Sequence, residues 1–348
     1  MNPSFRKYNI LRPLGWLYGL ATALRNRMYD MGMLESTSFP IPVISIGNIT
    51  AGGTGKTPHT EYLVSLLKDK IHTAVLSRGY GRSTHGYILA DEASTSGIIG
   101  DEPLQIKRRF PDIDVAVCED RVTGIKTLLR THQPRVVVLD DAFQHRKVKP
   151  SLNILLVNYN RFILDDAMLP AGRLRESVKG RSRADMIIVT KCPVDLPQEA
   201  MDDMTKRLAV SQKQQVFFTT LEYGEIYPLD GNAPVPAADC PVLAVTGIAD
   251  PTPMEAQLRQ SHNEVQMLSF PDHHAFSMRD IKEIETRLAS MPQGTAIITT
   301  AKDAARLQDA QMSEDLRKKI FILPVRPLFL NGSQAFDSAI LNHIESLS

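Results

Sequence analysis

Residues 43–60 read VISIGNITAGGTGKTPHT. Val43, Ile44 and Ile46 form an apolar run that predicts a buried strand. Glycines follow at 52, 53 and 55, then Lys56-Thr57-Pro58 and a helical pattern over about 59–68. Strand, glycine loop and Lys-Thr at a helix start describe a phosphate-binding P-loop. Glycines let backbone N–H groups converge on phosphate oxygens, and the helix N-terminus adds its positive end. The expected nucleotide contacts are Thr50, Ala51, Gly52, Gly53, Thr54, Gly55, Lys56 and Thr57. Lys56 would reach the β- and γ-phosphates and Thr57 would hold Mg²⁺. The strict pattern has Gly where this chain has Thr50. The competing reading is a Gly-rich strand-to-helix turn that binds nothing.

A second signal lies downstream. Residues 135–139 (RVVVL) read as a buried strand that ends in Asp140-Asp141, followed by Ala142-Phe143-Gln144-His145. An apolar strand ending in an acid is the Walker B pattern, whose carboxylate serves Mg²⁺. Adjacent acids on an extended chain point to opposite faces, so one can hold the metal while the other orients a partner. Gln144 and His145 are expected at the same edge. The bland alternative is a pair of solvated acids in a loop.

Working outward, further strands are expected at 73–77, 113–117, 153–157, 186–190 and 216–220, with helices between them. This alternation describes a parallel α/β sheet, whose ligands gather at the carboxyl ends of the strands. At those ends lie Arg78 and Arg82 of SRGYGR, which are either anion contacts or solvated turn residues. Asp101 of GDEP opens a helix as an N-cap, or accepts a proton from a substrate hydroxyl. Arg121 either neutralises phosphate or is a surface charge. Arg173, Arg175, Lys179, Arg181 and Arg183 form a basic run with Glu176 as its lone acid. Such a run is a solvated face or meets an anionic lipid or substrate.

After a Pro-, Ala- and Gly-rich stretch at 223–241, strands restart at 242–246, 296–300 and 321–325. The expected division is a P-loop unit at 1–220 and a smaller α/β unit at 221–348. His273 and His274 precede a helix at 277–290; without further ligands nearby, an orienting role fits them better than zinc.

Bulk properties narrow the class. A chain of 348 residues, 43% hydrophobic and 23% charged, is long enough for two globular cores. A net charge of +1 gives no general attraction to nucleic acid. The three cysteines show no CxxC and predict neither a disulfide framework nor a zinc site. No run approaches the roughly 20 apolar residues of a spanning helix. Residues 1–29 carry five basic and no acidic side chains, and Leu17, Leu20, Ala21, Leu24 and Met28 share a helix face. That helix packs on its own domain or lies in a membrane interface.

Taken in order, GNITAGGTGKTP, SRGYGR, GDEP, DDAFQH, LPAGRLRE, PDHH and TAKDAARL resemble the tetraacyldisaccharide 4'-kinase family of lipid A biosynthesis. The resemblance runs from about residue 10 to 325. Ala142 and Ala301 depart from the residues that many members carry. The resemblance implies a P-loop NTPase fold with a second, smaller α/β domain. It implies ATP, Mg²⁺, a lipid disaccharide 1-phosphate acceptor and residence at the cytoplasmic face of an inner membrane, with no nucleic acid or protein partner. It further implies Asp101 as base with His273 as its partner, and His145 near the phosphates. Asp140, Asp141, Glu176 and Thr57 would serve the metal, and Arg78, Arg121, Arg173 and Arg175 would face the anionic substrate. The alternative is a membrane-associated P-loop NTPase switch.

Overall fold

A computed structural model describes residues 3–230, 233–272 and 274–347. The strands, in chain order, are β1 Val43–Gly47, β2 Thr73–Ser77, β3 Ile88–Leu89, β4 Asp114–Val117, β5 Val136–Asp140, β6 Leu152–Asn158 and β7 Met186–Thr190. They continue with β8 Gln215–Tyr223, β9 Tyr227–Pro228, β10 Val242–Thr246, β11 Val265–Ser269, β12 Ala296–Thr300, β13 Ile320–Leu323 and β14 Val325–Phe329.

The large sheet has the order β14-β8-β7-β6-β1-β5-β2-β4-β3. Its central strands run parallel, and β3 and β14 are antiparallel edges. β1, β2, β5, β6 and β7 are buried along their whole length. Helices cover both faces of such a sheet, so its strands read as continuous apolar runs rather than alternating ones. Each fully buried Ile, Leu or Val there contributes roughly 1.5–3 kcal/mol. The register sets Ile46 of β1 beside Asp140 of β5, so the glycine loop and the acidic strand end leave the sheet side by side.

The smaller sheet has the order β11-β10-β12-β13-β9, parallel except for β9. Its core is separate, built around Leu243, Val245, Ile284, Ile297 and Ile320.

The chain does not remain in the smaller unit, as a division at 220/221 had it. β14 pairs antiparallel with β8, from Val325↔Tyr223 to Phe329↔Thr219. Helix Ser333–Glu345 then places Phe336, Ile340 and Ile344 in the large core. Phe336 meets Phe217 edge-on with ring centroids 5.2 Å apart. Residues 321–325, read as one strand, are two: β13 stays in the small sheet and β14 joins the large one, with Pro324 between them.

Helix Pro3–Asp30 docks through small residues. A Cβ on Gly15 would stand 2.9 Å from the Met168 carbonyl, and one on Gly19 would stand 3.3 Å from Met168 Cγ. Leu14, Trp16, Leu17, Leu20 and Leu24 face outward and are more than half exposed. No helix among the described residues is long and apolar enough to cross a membrane.

Candidate active site

The glycine loop is shaped by its neighbours as much as by its own sequence. Gly52 and Gly55 have φ of 100° and 79°, which L side chains rarely adopt. Thr50 needs no such freedom. It is extended and forms an antiparallel bridge with Leu174. Ala51 N donates to Arg173 O at 2.7 Å, and Arg175 N donates to Ile49 O at 2.8 Å. The LPAGRLRE segment thus borders the loop as a short ribbon, and this explains why Thr stands where the strict pattern has Gly. Thr190 Oγ1 donates to Thr54 O at 2.9 Å, and Asn48 Nδ2 donates to Thr54 Oγ1 at 2.7 Å.

Helix Lys56–Leu67 starts directly on Gly55. Inside it, His59 Nδ1 lies 2.7 Å from Gly55 O and Nε2 lies 3.0 Å from Thr219 Oγ1. A carbonyl only accepts, so Nδ1 carries the proton and Nε2 receives the threonine hydroxyl. Burial lowers the His59 pKa to about 4 and keeps this neutral tautomer.

Lys56 Nζ stands 3.6 Å from Asp141 Oδ1, and Arg175 Nη1 stands 3.4 Å from Asp141 Oδ2. Asp141 has φ of 47°, a left-handed turn that swings it out of the line of β5. Asp140 stays inside, where Thr60 Oγ1 donates to Oδ1 at 2.9 Å and Ser77 Oγ to Oδ2 at 3.4 Å. Its pKa is raised by burial, then by the negative charges of Glu102 and Asp141. Glu102 is raised as well, chiefly by burial, with Lys56 opposing. Asp141 Oδ1 is buried without a hydrogen-bond partner. An orphaned carboxylate oxygen beside the loop lysine fits a hydrated divalent cation held with the Thr57 hydroxyl.

Asp101 opens helix Asp101–Arg109, and its Oδ2 accepts from Arg306 Nη2 at 2.6 Å. His273 lies outside the described residues. His274 stacks on Phe270, with centroids 4.7 Å apart, and its Nε2 lies 3.0 Å from Asp280 Oδ2.

The structure does not gather all the expected groups. Glu176 is buried and held by Arg183 Nη2 at 2.9 and 2.8 Å, by Asn26 Nδ2 at 2.9 Å and by Gln144 Nε2 at 3.1 Å. No three His, Cys, Asp or Glu side chains surround a common point among the described residues. Through its hydrogen bonds Glu176 braces the N-terminal helix and the DDAFQH turn. Arg121 is buried, and its Nη1 donates to Cys118 O at 2.6 Å. Burial lowers its pKa to about 10, against the pull of Asp140 and Asp141. It supplies positive potential from below the site, not a surface contact. His145 Nε2 accepts from Arg121 N at 3.4 Å, and burial followed by the Arg121 charge lowers its pKa to about 4. Arg82 is tied to Glu119 at 2.5 Å, whereas Arg78 is exposed at the end of β2. The Arg173 and Arg175 side chains are half-buried beside the loop.

Two cations were not read from the sequence. A Cβ on Gly53 would stand 3.7 Å from Lys191 Nζ, and one on Gly52 would stand 3.8 Å from Arg161 Nη1. Burial and Arg161 lower the Lys191 pKa. The only signal available was a lysine directly after the buried run MIIVT.

A family model described as tetraacyldisaccharide-1-P 4'-kinase matches residues 8–345. The tetraacyldisaccharide 4'-kinase of Bacteroides thetaiotaomicron is 46% identical, over 96% of this chain and 92% of the relative. That of Flavobacterium johnsoniae is 45% identical, over 97% of each. The crystal structure of an "apo" form of LpxK from Aquifex aeolicus in complex with ATP superposes with a TM-score of 0.77 at 30% identity, covering 97% of this chain and 99% of that one.

Proposed function

This chain belongs to the tetraacyldisaccharide-1-P 4'-kinase family, and from that membership we propose how its residues transfer the γ-phosphoryl group of ATP to the 4'-hydroxyl of a tetraacyldisaccharide 1-phosphate. It is an ATP-dependent lipid kinase of lipid A biosynthesis with an α/β P-loop fold. The observation that carries the residue assignment is the meeting of Lys56 and Asp141 at the start of the loop helix, 3.6 Å apart.

Residues 50–57 cradle the phosphates through backbone N–H groups, and Lys56 turns from Asp141 to the β- and γ-phosphates. Mg²⁺, held by Thr57 and the Asp140/Asp141 pair, would offset charge on the phosphate oxygens. Arg175 lies within reach of the same edge and Arg121 adds positive potential beneath it. Arg78 and Arg173, with Arg175, face the anionic acceptor. Asp101 accepts the hydroxyl proton late in the transfer, because in a loose phosphoryl-transfer transition state that proton leaves last. His273 of PDHH is carried over from the family motif as the partner of Asp101.

A lipid acceptor gives the exposed Leu14, Trp16, Leu17, Leu20 and Leu24 a purpose. They form an interfacial face, and the enzyme sits peripherally on the cytoplasmic side of the inner membrane. No nucleic-acid or protein partner is needed for this chemistry.

The test is transfer of radiolabelled phosphate from ATP to purified tetraacyldisaccharide 1-phosphate. Asp101→Ala should abolish most turnover and leave ATP affinity nearly intact. Hydrolysis of ATP with no label on lipid would return the protein to the nucleotide-switch reading. Deletion of residues 1–29 should move the protein from vesicle pellet to supernatant; unchanged partition would remove the interfacial helix.

A further inference from the structure

The transfer proposed above assigns no role to the TAKDAARL motif. It forms the end of β12 and helix Ala301–Leu307 of the small lobe, next to helix Asp101–Arg109 of the large one. Two of its charged side chains are almost wholly buried, Arg306 at 3% and Asp303 at 0% exposure.

Asp303 is fixed from several sides. Its Oδ2 accepts from Gly247 N at 3.0 Å, Thr300 Oγ1 at 2.8 Å and Thr246 Oγ1 at 3.2 Å. Those groups are at the carboxyl ends of β10 and β12, so the carboxylate is anchored to the small sheet. Asp303 Oδ1 receives Arg306 Nη1 at 3.1 Å. The other end of the guanidinium crosses between lobes, where Nη2 donates to Asp101 Oδ2 at 2.6 Å. A second tie lies beside the same two helices. Arg108 Nη2 donates to Asp309 Oδ1 at 2.7 Å, Ser96 N donates to Asp309 Oδ2 at 2.9 Å, and Arg108 Nη1 reaches Ala305 O.

Burying two charges against a third is an expensive way to hold two lobes together, since apolar side chains of similar volume do it at least as well. What the charges supply is direction: a guanidinium fork fixes both the place and the plane of a carboxylate. We propose that Arg306, oriented by Asp303, is a positioning residue for Asp101, setting the proton acceptor in place only when the small lobe is docked. The proposal rests on Asp101 being that acceptor. Placement matters more than basicity when the proton leaves late. A misplacement of about 1 Å can cost roughly 100-fold in rate.

The test compares Arg306→Met, Arg306→Lys and Asp303→Asn in wild-type and Asp101→Asn backgrounds, using the full-length protein. Arg306→Met should lower kcat about 100-fold while leaving KM for ATP unchanged. Arg306→Lys should fall between, because an ammonium cannot hold both carboxylates in one plane. Asp303→Asn should act in the same direction as Arg306→Met. In the Asp101→Asn background the same changes should have little further effect, since the residue acts through Asp101. Millimolar guanidinium ion should restore part of the turnover to Arg306→Ala and none to Asp101→Asn.

Wild-type kcat in Arg306→Met, or losses that multiply with that of Asp101→Asn, would overturn the proposal. Loss of melting temperature alone, with full kcat per folded molecule, would do the same. Full turnover in Asp101→Asn alone would instead remove the base assignment on which it stands. Arg306→Lys and the guanidinium rescue decide the matter if Arg306→Met does not fold.

Discussion

Gly100 lies against the backbone of Gly79 with no space for a side chain. A Cβ on Gly100 would stand 3.2 Å from Gly79 Cα and 2.9 Å from the Tyr80 carbonyl oxygen. Gly79 is equally closed, with Ile99 O at 2.8 Å from its own Cβ position. The SRGYGR and GDEP loops therefore meet backbone to backbone, immediately before Asp101.

Gly100 has φ of 91°, so Gly100→Ala meets both a clash and a strained backbone. The expected cost is about 1–3 kcal/mol, together with displacement of Asp101. Thermal unfolding should show the first effect and kcat measured on folded protein the second. A variant with unchanged melting and turnover would show that the two loops yield easily.

Lys56→Ala removes the loop's own cation and its contact with Asp141. Losing one well-placed donor to transition-state charge costs on the order of 10²–10³ in kcat. Steady-state kinetics with saturating lipid should show this fall alongside a higher KM for ATP. A rise in KM with kcat intact would confine Lys56 to ground-state binding.

Glu176→Gln leaves Arg183 without its buried counter-charge. The expected destabilisation is about 3 kcal/mol, seen as a lower melting temperature. Because Glu176 is engaged by Arg183, Asn26 and Gln144, the Mg²⁺ concentration for half-maximal activity should not change. A raised Mg²⁺ requirement would bring this carboxylate to the metal after all.

His145 gives a pH dependence of definite sign. Burial and the Arg121 charge lower its pKa to about 4 in the folded protein, against the usual 6.5 of an imidazole. Between these values the unfolded chain binds more protons, so stability falls as pH drops from 6.5 to 4. The contribution is complete above 6.5 and gone below 4. Allowing for partial exposure, it is on the order of 1–3 kcal/mol. His145→Gln, which keeps an acceptor and cannot titrate, should flatten that part of a melting-temperature profile. Imidazole NMR should give the midpoint directly; a value near 6.5 would contradict the burial argument.

Much of the candidate site was legible because its pattern is local. The glycines of 52–55, Lys56 and the Asp140-Asp141 strand end announce a glycine loop and an acidic edge within a few residues of sequence. The parallel sheet followed from unbroken apolar runs such as 136–139. What depends on distant partners was not legible. Thr50 looks like a departure until Leu174 pairs with it. Glu176 reads as a lone acid in a basic run until Asn26, 150 residues earlier, meets it. Arg121 reads as a surface charge because nothing adjacent announces its burial. β14, with sequence VRPLF, carries a proline that only an edge strand tolerates, yet nothing local says which sheet's edge it joins.

The pairing of Val325 with Tyr223 has a topological consequence. The chain leaves and re-enters the large sheet at neighbouring points, so residues 224–324 are an excursion between two partners in one antiparallel ladder. Such partners are about 5 Å apart at Cα, a gap that a two-residue Asn-Gly turn closes. The nucleotide-binding half is thus a continuous fold in space though interrupted in sequence. Its boundary is a hairpin with a second lobe grown from its tip, and a chain cut at residue 220 would lose the strand and helix that finish it.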